Sequence, residues 1–413
     1  MINLNKNFLI YGYGVSGKSV SKYLSNKNCK YSIFDDFKKL TKVKNVINKV
    51  ILEEKLKFFD YIVISPSIKI DKKHILYNYK KKIIIDLDFL SNELSNQLVI
   101  GVTGTEGKST TCLYLYQALS KKYNCTIIGN FGTTILDQQN LKKNLGMLEI
   151  IIIELSSYQL NKLKHLKLSY AVITNIYHDH LSYHENFTNY IKSKFSISKL
   201  LNNKGYLILN NDVLSKYSRY LKSLNKLQIL NVNIIENRRK KLEDSIQDLN
   251  IQLIEKITKK IDKKINLNDL KFKTLPFRNQ LIKESKHLRI YNDSKCTNLE
   301  NASFKNDLIY SRNKILILGG RPKIQNKKII VKNTLVLIYG PYSKKIPQNI
   351  IFQNCKYFKF MSLSNLLNFI KIINRNNIFD NILFSPGGES FDLYKDFMER
   401  GVIFNRLIKK IKI

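Results

Sequence analysis

One glycine-rich stretch constrains the fold of this chain more than any other part of its sequence. Residues 101–110 read Gly-Val-Thr-Gly-Thr-Glu-Gly-Lys-Ser-Thr; an apolar run at 98–100 precedes them, and a helical pattern follows over 111–121. In such a strand–loop–helix arrangement, glycines let successive backbone N–H groups face one anion, and the positive end of the helix dipole adds to the attraction. The stretch therefore predicts a nucleotide-phosphate site.

The residues of this loop have separate predicted tasks. Lys108 is long enough to reach the terminal phosphates, and a hydroxyl group of Ser109 or Thr110 can hold Mg²⁺. The remaining residues that we expect to line the phosphates are Gly104, Thr105 and Gly107.

The charge of the chain raises the question of a nucleic-acid partner, because its formal net charge is +38 over 413 residues. The lysines are spread along the whole chain among asparagine and isoleucine, and no RNA-binding signature accompanies them. We therefore expect no nucleic-acid partner. The excess positive charge can still attract anionic substrates at long range.

Composition and cysteine usage are those of a cytoplasmic globular protein. Hydrophobic residues make up 44% and charged residues 25% of the chain. No apolar run approaches the roughly 20 residues that span a membrane, and the start of the chain has no signal-peptide pattern. The five cysteines are scattered without a Cys-x-x-Cys pair, so we expect reduced thiols. We also expect no membrane span and a monomer.

Strands that alternate with helices predict an α/β protein of three domains. Residues 1–95 open with a strand, a glycine turn and a helix, which is a Rossmann-like beginning. Residues 96–276 carry the phosphate loop on a mostly parallel sheet of the P-loop ATPase type, with a charged helix at 237–268 whose apolar spacing indicates one buried face. Residues 277–413 alternate again and predict a second Rossmann-like domain.

The first glycine turn is weak evidence on its own. Gly12 to Gly17 follow the strand at 8–11, and a second strand at 31–34 ends at Asp35. This pattern indicates that a diphosphate-bearing ligand could sit at a helix N-terminus. An NAD-dependent dehydrogenase would explain this turn, but it would leave the phosphate loop of the second domain without a role.

Two further positions bear on metal binding. Four isoleucines at 150–153 predict a strand buried on both faces, and Glu154 ends it. A carboxylate there is placed to hold Mg²⁺ or to position water; the alternatives are a helix-capping acid and an exposed surface charge. His178-Asp179-His180 could ligate zinc, but no second cluster supplies further ligands.

In the third domain, four polar residues fall beyond the ends of strands, where doubly wound sheets bind ligands: Asp293, Lys295, Thr297 and Ser390.

Several of these strings, in this order, resemble the Mur ligase superfamily of ATP-dependent amide-bond ligases in peptidoglycan synthesis. The shared strings are the loop at 104–110, Glu154-Leu155-Ser156-Ser157, Asn175 and Asp179-His180. A more specific set is similar to the D-glutamate-adding members: Asn-Asp-Ser-Lys-Cys-Thr-Asn at 292–298, Ser385-Pro386, Ser390-Phe391-Asp392, and Phe397 with Arg400-Gly401. The resemblance covers nearly the whole chain.

This resemblance implies a reaction order and a set of roles. ATP would phosphorylate the carboxylate of UDP-N-acetylmuramoyl-L-alanine, and the amine of D-glutamate would then displace phosphate. The implied catalytic residues are Lys108, His180, Lys194 and Asn130. The implied metal residues are Ser109, Glu154, His180 and Lys194, the last as a carbamylated lysine; the alternative for Lys194 is a solvated helix lysine. The implied nucleotide contacts outside the loop are Asn250, Arg278 and Asp293. The implied D-glutamate pocket is Lys295, Thr297, Ser390 and Phe397, and the other substrate would meet Gly14, Val15, Ser16, Asp35 and Ser156.

The chain departs from the family pattern at four places. Glu106 replaces a common asparagine in the phosphate loop, Phe277 replaces the histidine of Pro-His-Arg, and Ser182 replaces an acid. Of the family's His-Asn-x-x-Asn motif, placed here at 246–250, only Asn250 survives. These departures bear on adenine binding and rate. The alternatives are another Mur ligase, a folylpolyglutamate synthase-like ligase, or a nucleotide-binding relative with impaired catalysis.

Overall fold

The structure of the protein is a computed structural model. This structure describes residues 1–37, 40–129, 136, 141–221, 228–232, 242–311, 313–322, 328–344 and 346–411. The chain divides into two compact units, each described here by itself. The first unit comprises Met1–Ile176, Thr188–Asn233 and Leu253–Leu270, and the second comprises Tyr177–Phe187, Ile234–Gln252 and Lys271–Ile413.

The first unit begins with a four-stranded parallel sheet in the order β2-β1-β3-β4. Its strands are β1 (Phe8–Tyr11), β2 (Tyr31–Phe34), β3 (Tyr61–Ile64) and β4 (Ile83–Ile84), and its helices are α1 (Val15–Asn26), α2 (Lys49–Lys55) and α3 (Leu90–Glu93). The predicted strand–turn–helix–strand opening is confirmed. Strand β4 is only two residues long, and Asp86 already begins a 3₁₀ turn.

The second sheet of this unit has six parallel strands in the order β10-β9-β8-β5-β7-β6. The strands are β5 (Leu98–Thr103), β6 (Cys125–Gly129), β7 (Ile150–Glu154), β8 (Leu168–Ile173), β9 (Leu201–Asn210) and β10 (Gln228–Val232). All five residues of β7 are buried, as its isoleucine run predicts.

The helices of this middle stretch of the chain follow the phosphate loop in sequence. They are α4 (Lys108–Leu119), α5 (Leu141–Gly146), α6 (Ser157–Leu160), α7 (Leu181–His184), α8 (Phe187–Phe195), α9 (Asn211–Tyr217) and α10 (Leu242–Ile261). The helix predicted over 237–268 corresponds to α10, which ends earlier, at Ile261; residues 237–241 lie outside the described part. Its predicted apolar face is buried at Leu253 and Ile257, as is the neighbouring Ile254.

The second unit is built on a six-stranded sheet in the order β11-β12-β18-β13-β15-β17, and a pair β14-β16 lies apart from it. The strands are β11 (Gln280–Glu284), β12 (Arg289–Asn292), β13 (Lys314–Gly319), β14 (Ile329–Lys332), β15 (Leu335–Tyr339), β16 (Ile350–Gln353), β17 (Lys356–Phe360) and β18 (Asn381–Gly387). The helices are α11 (Leu299–Leu308), α12 (Pro341–Lys344), α13 (Leu363–Ile373) and α14 (Phe397–Ile411).

This unit differs from the sequence-based expectation in its strands and in its last helix. Strands β11, β14, β16 and β17 were not predicted; β11 pairs antiparallel with β12 at the sheet edge, where its polar residues are half-buried or exposed. The last helix was expected from Ser390 but begins at Phe397, because turns occupy the residues between them. The predicted α/β class with mostly parallel sheets is confirmed. The domain boundaries at 95/96 and 276/277 stay a prediction.

A buried aspartate joins the two sheets of the first unit. Asp88 has no solvent exposure. Its carboxylate accepts backbone N–H groups from Ile85 at 2.9 Å, Lys164 at 2.8 Å and His165 at 2.6 Å. Burial raises the pKa of Asp88, and the three N–H donors oppose that shift. Because one donor directly follows β4 and the other two precede β8, the carboxylate links segments beside the two sheets within one compact unit.

A buried lysine adds a second tie between the same two sheets. Lys162 is 7% exposed, and its ammonium donates a 2.6 Å hydrogen bond to the carbonyl oxygen of Pro66 after β3. Burial lowers its pKa to about 8. None of the helices in the described part of the chain has the length and apolarity needed to cross a membrane.

Candidate functional site

The glycine loop between β5 and α4 is shaped by the neighbouring strand β8. Gly104 has a φ of +151°, and a Cβ atom there would lie 1.8 Å from the hydroxyl oxygen of Thr174. Only glycine therefore fits at this close approach. Gly107 has a φ of 78° and caps the N-terminus of α4, so the helix begins at Lys108.

Asn175 and Thr174 fix the backbone of the loop. The N–H groups of Thr105 and Glu106 donate to the backbone and side-chain oxygens of Asn175 at 3.0 and 2.9 Å. The Glu106 carbonyl accepts from the Thr174 hydroxyl at 2.5 Å and from the Asn175 amide at 3.2 Å. Because first-turn N–H groups have no acceptor within a helix, those of α4 are the groups that face an anion at this terminus.

Lys108 holds its ammonium over the loop. It donates to the carbonyl oxygens of Gly104 at 2.9 Å and Thr105 at 2.7 Å. This places a positive charge beside the first turn of α4, where the sequence predicts the terminal phosphates. Ser109 in that turn is buried, and Thr110 is half-buried.

Lys194 reaches the same loop from α8. Only 2% of it is exposed, and its ammonium donates to the Gly104 carbonyl at 2.6 Å and to the Thr103 hydroxyl at 3.4 Å. The ammonium also lies 5.1 Å from the ring centre of Tyr190, whose hydroxyl is 3.0 Å from that of Thr105. The interpretation of Lys194 as a solvated helix lysine is therefore wrong.

Glu154 is neither exposed nor a helix cap. It is 3% exposed at the end of β7, in register with Val102 of β5. The helix that follows is capped by Ser156, whose hydroxyl oxygen accepts from the Gln159 N–H. Both alternatives for Glu154 are thus excluded by its position. Ser156, a predicted substrate contact, forms a capping box with Gln159.

The charges of Glu154 and Lys108 both influence the pKa of the Cys112 thiol. Burial raises the pKa of Cys112 well above its usual value; the Glu154 carboxylate raises it further, and the Lys108 ammonium lowers it. Cys112 lies on α4, so both charged groups lie near the first half of that helix. No motif in the sequence indicates this position of Cys112.

The residues of the first unit fit Mg²⁺ better than zinc. Ser109 and Glu154 supply hydroxyl and carboxylate oxygens, and Mg²⁺ is usually held by few protein oxygens together with water and phosphate. Among the described residues there is no group of three or more histidine, cysteine, aspartate or glutamate side chains that could hold a metal. The zinc interpretation of His178-Asp179-His180 therefore has no support in the described ranges.

His180, the fourth predicted metal residue, belongs to the second unit. It adopts a left-handed backbone, and its N–H donates to the Asp179 carboxylate at 2.8 Å while its Nε2 lies 3.5 Å from the same group. The neighbouring His178 stacks on Phe187, with ring centres 3.7 Å apart. Its carbonyl accepts from the Asn298 amide at 2.6 Å. Asp179 thus orients the imidazole of His180.

The acid at the end of β2 closes the first glycine turn. The Asp35 carboxylate accepts the N–H groups of Tyr13 at 2.6 Å and Phe37 at 2.9 Å. Val15 at the start of α1 is 74% exposed, and a Cβ atom on Gly14 would meet nothing within 4 Å.

One acid near this turn was missed from the sequence. Ser16 hydrogen-bonds Asp86, whose pKa is raised chiefly by burial. Asp86 follows β4, and the end of a parallel strand beside a glycine turn is the signal that could have identified it.

The Asn-Asp-Ser-Lys string after β12 is largely committed to internal contacts. The Asn292 amide donates to the Gly401 carbonyl at 2.9 Å and to the Asn405 side chain at 2.6 Å. The Ser294 hydroxyl donates to the Phe397 carbonyl at 2.8 Å. Both side chains therefore hold α14 against the string.

Asp293 faces the opposite direction from those two residues. It is 1% exposed, and its carboxylate accepts from the Lys305 ammonium and from the Ser385 hydroxyl, each at 2.7 Å. The predicted nucleotide contact of Asp293 stays a prediction, and the buried pair with Lys305 was missed because the two residues share no recognisable motif.

Two members of the predicted amino-acid pocket lie together. The Lys295 ammonium is 4.7 Å from the ring centre of Phe397. Ser390 is buried and Thr297 is half-buried. Phe277, which replaces a family histidine, has a left-handed backbone, is buried, and accepts the Lys295 N–H at 3.0 Å.

The remaining predicted contacts have less structural detail. Arg278 is half-buried beside Phe277, and Asn250 is half-buried in α10. Asn130 lies outside the described residues.

The region that contains the phosphate loop matches a known protein family. A family model for the Mur ligase middle domain matches residues 102–271. This range starts within β5 and contains the loop, Glu154, His180 and Lys194.

Several relatives that are similar to this chain over nearly its full length are named UDP-N-acetylmuramoylalanine–D-glutamate ligase. The one from Prochlorococcus marinus is 30% identical, and the alignment covers 98% of this chain and 97% of the relative. Those from Thermosipho melanesiensis and Borreliella burgdorferi are 29% and 28% identical, with 98% of each chain covered.

Solved structures share the fold at low identity. A MurF ligase from Thermotoga maritima in complex with ADP has a TM-score of 0.57 and 15% identity, over 98% of this chain and 99% of that one. A pseudomurein peptide ligase type C from Methanothermus fervidus has a TM-score of 0.52 and 16% identity, over 98% of this chain and 100% of that one.

Proposed function

Because the chain belongs to the UDP-N-acetylmuramoylalanine–D-glutamate ligase family, we propose that it is an ATP-dependent ligase that joins D-glutamate to UDP-N-acetylmuramoyl-L-alanine in peptidoglycan precursor synthesis. ATP phosphorylates the substrate carboxylate, the amine of D-glutamate attacks the acyl phosphate, and inorganic phosphate leaves. The observation that carries the proposal is the convergence of Lys108 and Lys194 on the Gly104 carbonyl beside the first turn of α4.

The phosphate loop binds the nucleotide and stabilises the transferred phosphoryl group. The first-turn N–H groups of α4 and the Lys108 ammonium face developing negative charge, which is the form of stabilisation that phosphoryl transfer requires. Gly104, Thr105, Gly107 and Thr110 shape the cradle. Mg²⁺, held by oxygens of Ser109 and Glu154, supplies further neutralisation of phosphate charge when bound.

Lys194 has two states in this proposal. As an ammonium it is bound to the Gly104 carbonyl inside the protein. Carbamylation would convert this cation into an anion that supports a metal ion. The buried position of Lys194 supports this role, because a carbamate is protected there from bulk water.

The other predicted contacts complete the substrate assignments. In the first domain, Gly14, Val15, Ser16 and Asp35 bind the uridine nucleotide, with Ser156 as a further substrate contact. Arg278, Asp293 and Asn250 contact ATP, and Asn130 lies near the phosphates.

The D-glutamate pocket is formed by residues of the second unit. Lys295 pairs with a carboxylate of the amino acid. Thr297 and Ser390 supply hydroxyl groups, and Phe397 supports the Lys295 ammonium through its ring.

The same proposal covers the domain organisation, the oligomeric state and the location of the protein. The chain has three domains, at 1–95, 96–276 and 277–413; it works as a monomer; and it acts in the cytoplasm, where it serves cell-wall growth and cell division.

A substrate panel tests the proposal. Phosphate release from ATP should require Mg²⁺, UDP-N-acetylmuramoyl-L-alanine and D-glutamate together. L-glutamate, L-lysine, glycine and a folate acceptor serve as comparisons. Activity with L-glutamate and folate would move the assignment to a folylpolyglutamate synthase-like ligase, and nucleotide binding without turnover would favour a catalytically impaired relative.

Variants of the loop lysine test the assigned chemistry. Lys108→Ala should abolish phosphate release, because the ammonium beside the first turn of α4 is lost. Lys192→Ala is the matched control, since Lys192 is an exposed lysine in the same unit. Equal activity of the two variants would contradict the role of Lys108.

A further inference from the structure

Arg400 is a fully buried guanidinium group. Its exposed fraction is 0%, and it stands first among the largest fully buried side chains of the described residues. Burial of a permanent charge is costly unless hydrogen bonds satisfy it. Arg400 lies in the Phe397–Gly401 segment of α14, which carries part of the family resemblance, but the sequence assigns no task to Arg400 itself.

The guanidinium binds three acceptors on two separate segments. Its Nε donates to the Ser294 hydroxyl oxygen at 3.0 Å, and its Nη2 donates to the Ser294 carbonyl at 2.6 Å. Its Nη1 donates to the Gly388 carbonyl at 3.0 Å. The planar fork of arginine can hold these acceptors at once, whereas the single ammonium of lysine cannot reproduce the arrangement.

Each segment that Arg400 binds carries a residue of the proposed amino-acid pocket. Ser294 directly precedes Lys295, and Gly388 lies two residues before Ser390. The Ser294 hydroxyl in turn donates to the carbonyl of Phe397. Through two acceptor segments and its own helix, Arg400 therefore connects Lys295, Ser390 and Phe397.

The next residue, Gly401, strengthens this arrangement. A Cβ atom on Gly401 would lie 2.4 Å from the ring of Phe277, so only glycine lets that ring rest on α14. Phe277 then accepts the N–H of Lys295 at 3.0 Å. The Gly401 carbonyl accepts from Asn292 on the other side. Helix α14 is thus fixed to the string before Lys295 from both directions.

We propose that Arg400 is the positioning residue of the amino-acid pocket. It sets the distances between Lys295, Ser390 and Phe397, and thereby the fit to a dicarboxylic amino acid. Arg400 touches no reacting atom in this role. The inference rests on the proposed function, because the pocket is assigned to D-glutamate there.

The test is Arg400→Lys in the full chain, with steady-state constants for each substrate. We expect the KM for D-glutamate to rise at least about tenfold, since two of three hydrogen bonds are lost. The KM for the uridine nucleotide should stay within about twofold, because its proposed contacts lie outside the segments that Arg400 binds. Arg406→Lys is the matched control: Arg406 is exposed on the same helix and should leave all constants unchanged.

Ser294→Ala provides a second variant that keeps the buried charge. It removes the hydroxyl that accepts from Nε and donates to Phe397, and it leaves the two carbonyl acceptors in place. We expect a smaller rise in the KM for D-glutamate, about three- to tenfold, without a change in the KM for the uridine nucleotide. This variant decides the question if Arg400→Lys does not fold.

The outcomes separate this inference from the proposed function. D-glutamate-dependent turnover with equal rises in all three KM values, or with a loss of thermal stability alone, would overturn the positioning role and leave the ligase assignment intact. Absence of D-glutamate-dependent turnover in the unchanged chain would overturn both.

Discussion

The ammonium of Lys194 and the carbonyl oxygen of Gly104 are joined by a 2.6 Å hydrogen bond, although 90 residues separate them in the chain. Lys108 donates to the same oxygen at 2.9 Å. Two cations therefore share one backbone acceptor in the phosphate loop. Their mutual repulsion is relieved when an anion binds between them or when one of them loses its charge.

The first prediction concerns the chemical state of Lys194. Lys194→Ala should reduce turnover by about a hundredfold or more, because a buried functional group near the transferred phosphate is removed. A small carboxylate such as acetate should restore part of the activity if the working form is a carbamate. Steady-state rates with and without added carboxylate measure both effects.

The control for that prediction lies on the same helix. Lys192 is exposed on α8, and Lys192→Ala should keep wild-type turnover. A Lys194→Ala variant with normal turnover would contradict a role of this lysine in the reaction.

The second prediction concerns the close approach at Gly104. Gly104→Ala should destabilise the fold by about 2–4 kcal/mol, through steric overlap and an unfavourable backbone conformation. Chemical denaturation measures the change. Gly146→Ala is the control, because an added Cβ atom there meets nothing within 4 Å.

A double variant separates the two causes. Thr174→Ala removes the hydroxyl that lies 1.8 Å from the added Cβ atom, so Gly104→Ala combined with Thr174→Ala should lose less stability than the sum of the single changes. Simple additivity would show that the clash with Thr174 is not the cause.

The third prediction is a pH dependence of stability. Burial lowers the pKa of Lys162 from 10.5 in the unfolded chain to about 8 in the folded protein. Below pH 8 both states carry the proton; between about 8 and 10.5 only the unfolded state does. Stability therefore rises with pH across this window, and the contribution of Lys162 is about 1–3 kcal/mol.

Lys162→Met isolates this contribution. The variant should be less dependent on pH than the wild type between pH 8 and 10.5, and the difference between their unfolding free energies removes the effect of the other lysines. Parallel curves for the two proteins would contradict the assignment.

The fourth prediction concerns the tie between the two sheets of the first unit. Asp88→Ala should cost about 2–4 kcal/mol, because three backbone N–H groups, one of them fully buried, lose their acceptor. Thermal unfolding measures the loss. Asp71→Ala is the control: Asp71 is exposed and accepts one local N–H, from Lys73, so its loss should stay below about 1 kcal/mol. Equal melting temperatures would contradict the role of Asp88.

Local patterns in the sequence were sufficient for much of the fold. The isoleucine run of β7, the glycine turn before α1 and four strands of the second unit (β12, β13, β15 and β18) were predicted close to their observed positions, since strand periodicity and turn chemistry act over a few residues. The edge strand β11 was missed, because its polar residues lack the alternation of a half-buried strand.

The candidate site shows where local patterns stop. The Asn-Asp-Ser-Lys string was found by its letters, but the structure turns Asn292 and Ser294 toward α14 and Asp293 toward Lys305. Only the packed fold decides which member of such a string faces inward, because each partner comes from a distant part of the chain.

The amino-acid sequence by itself determined the phosphate loop, the α/β class and the family resemblance, since these depend on residue types at short spacing. The tertiary structure alone decided that Lys194 is buried on the loop, that Asp88 joins two sheets, and that Arg400 lies inside the second unit. These facts depend on contacts between residues 76 to 106 positions apart. Burial and hydrogen bonding over such distances exist only after the chain has packed, so no local pattern carries them.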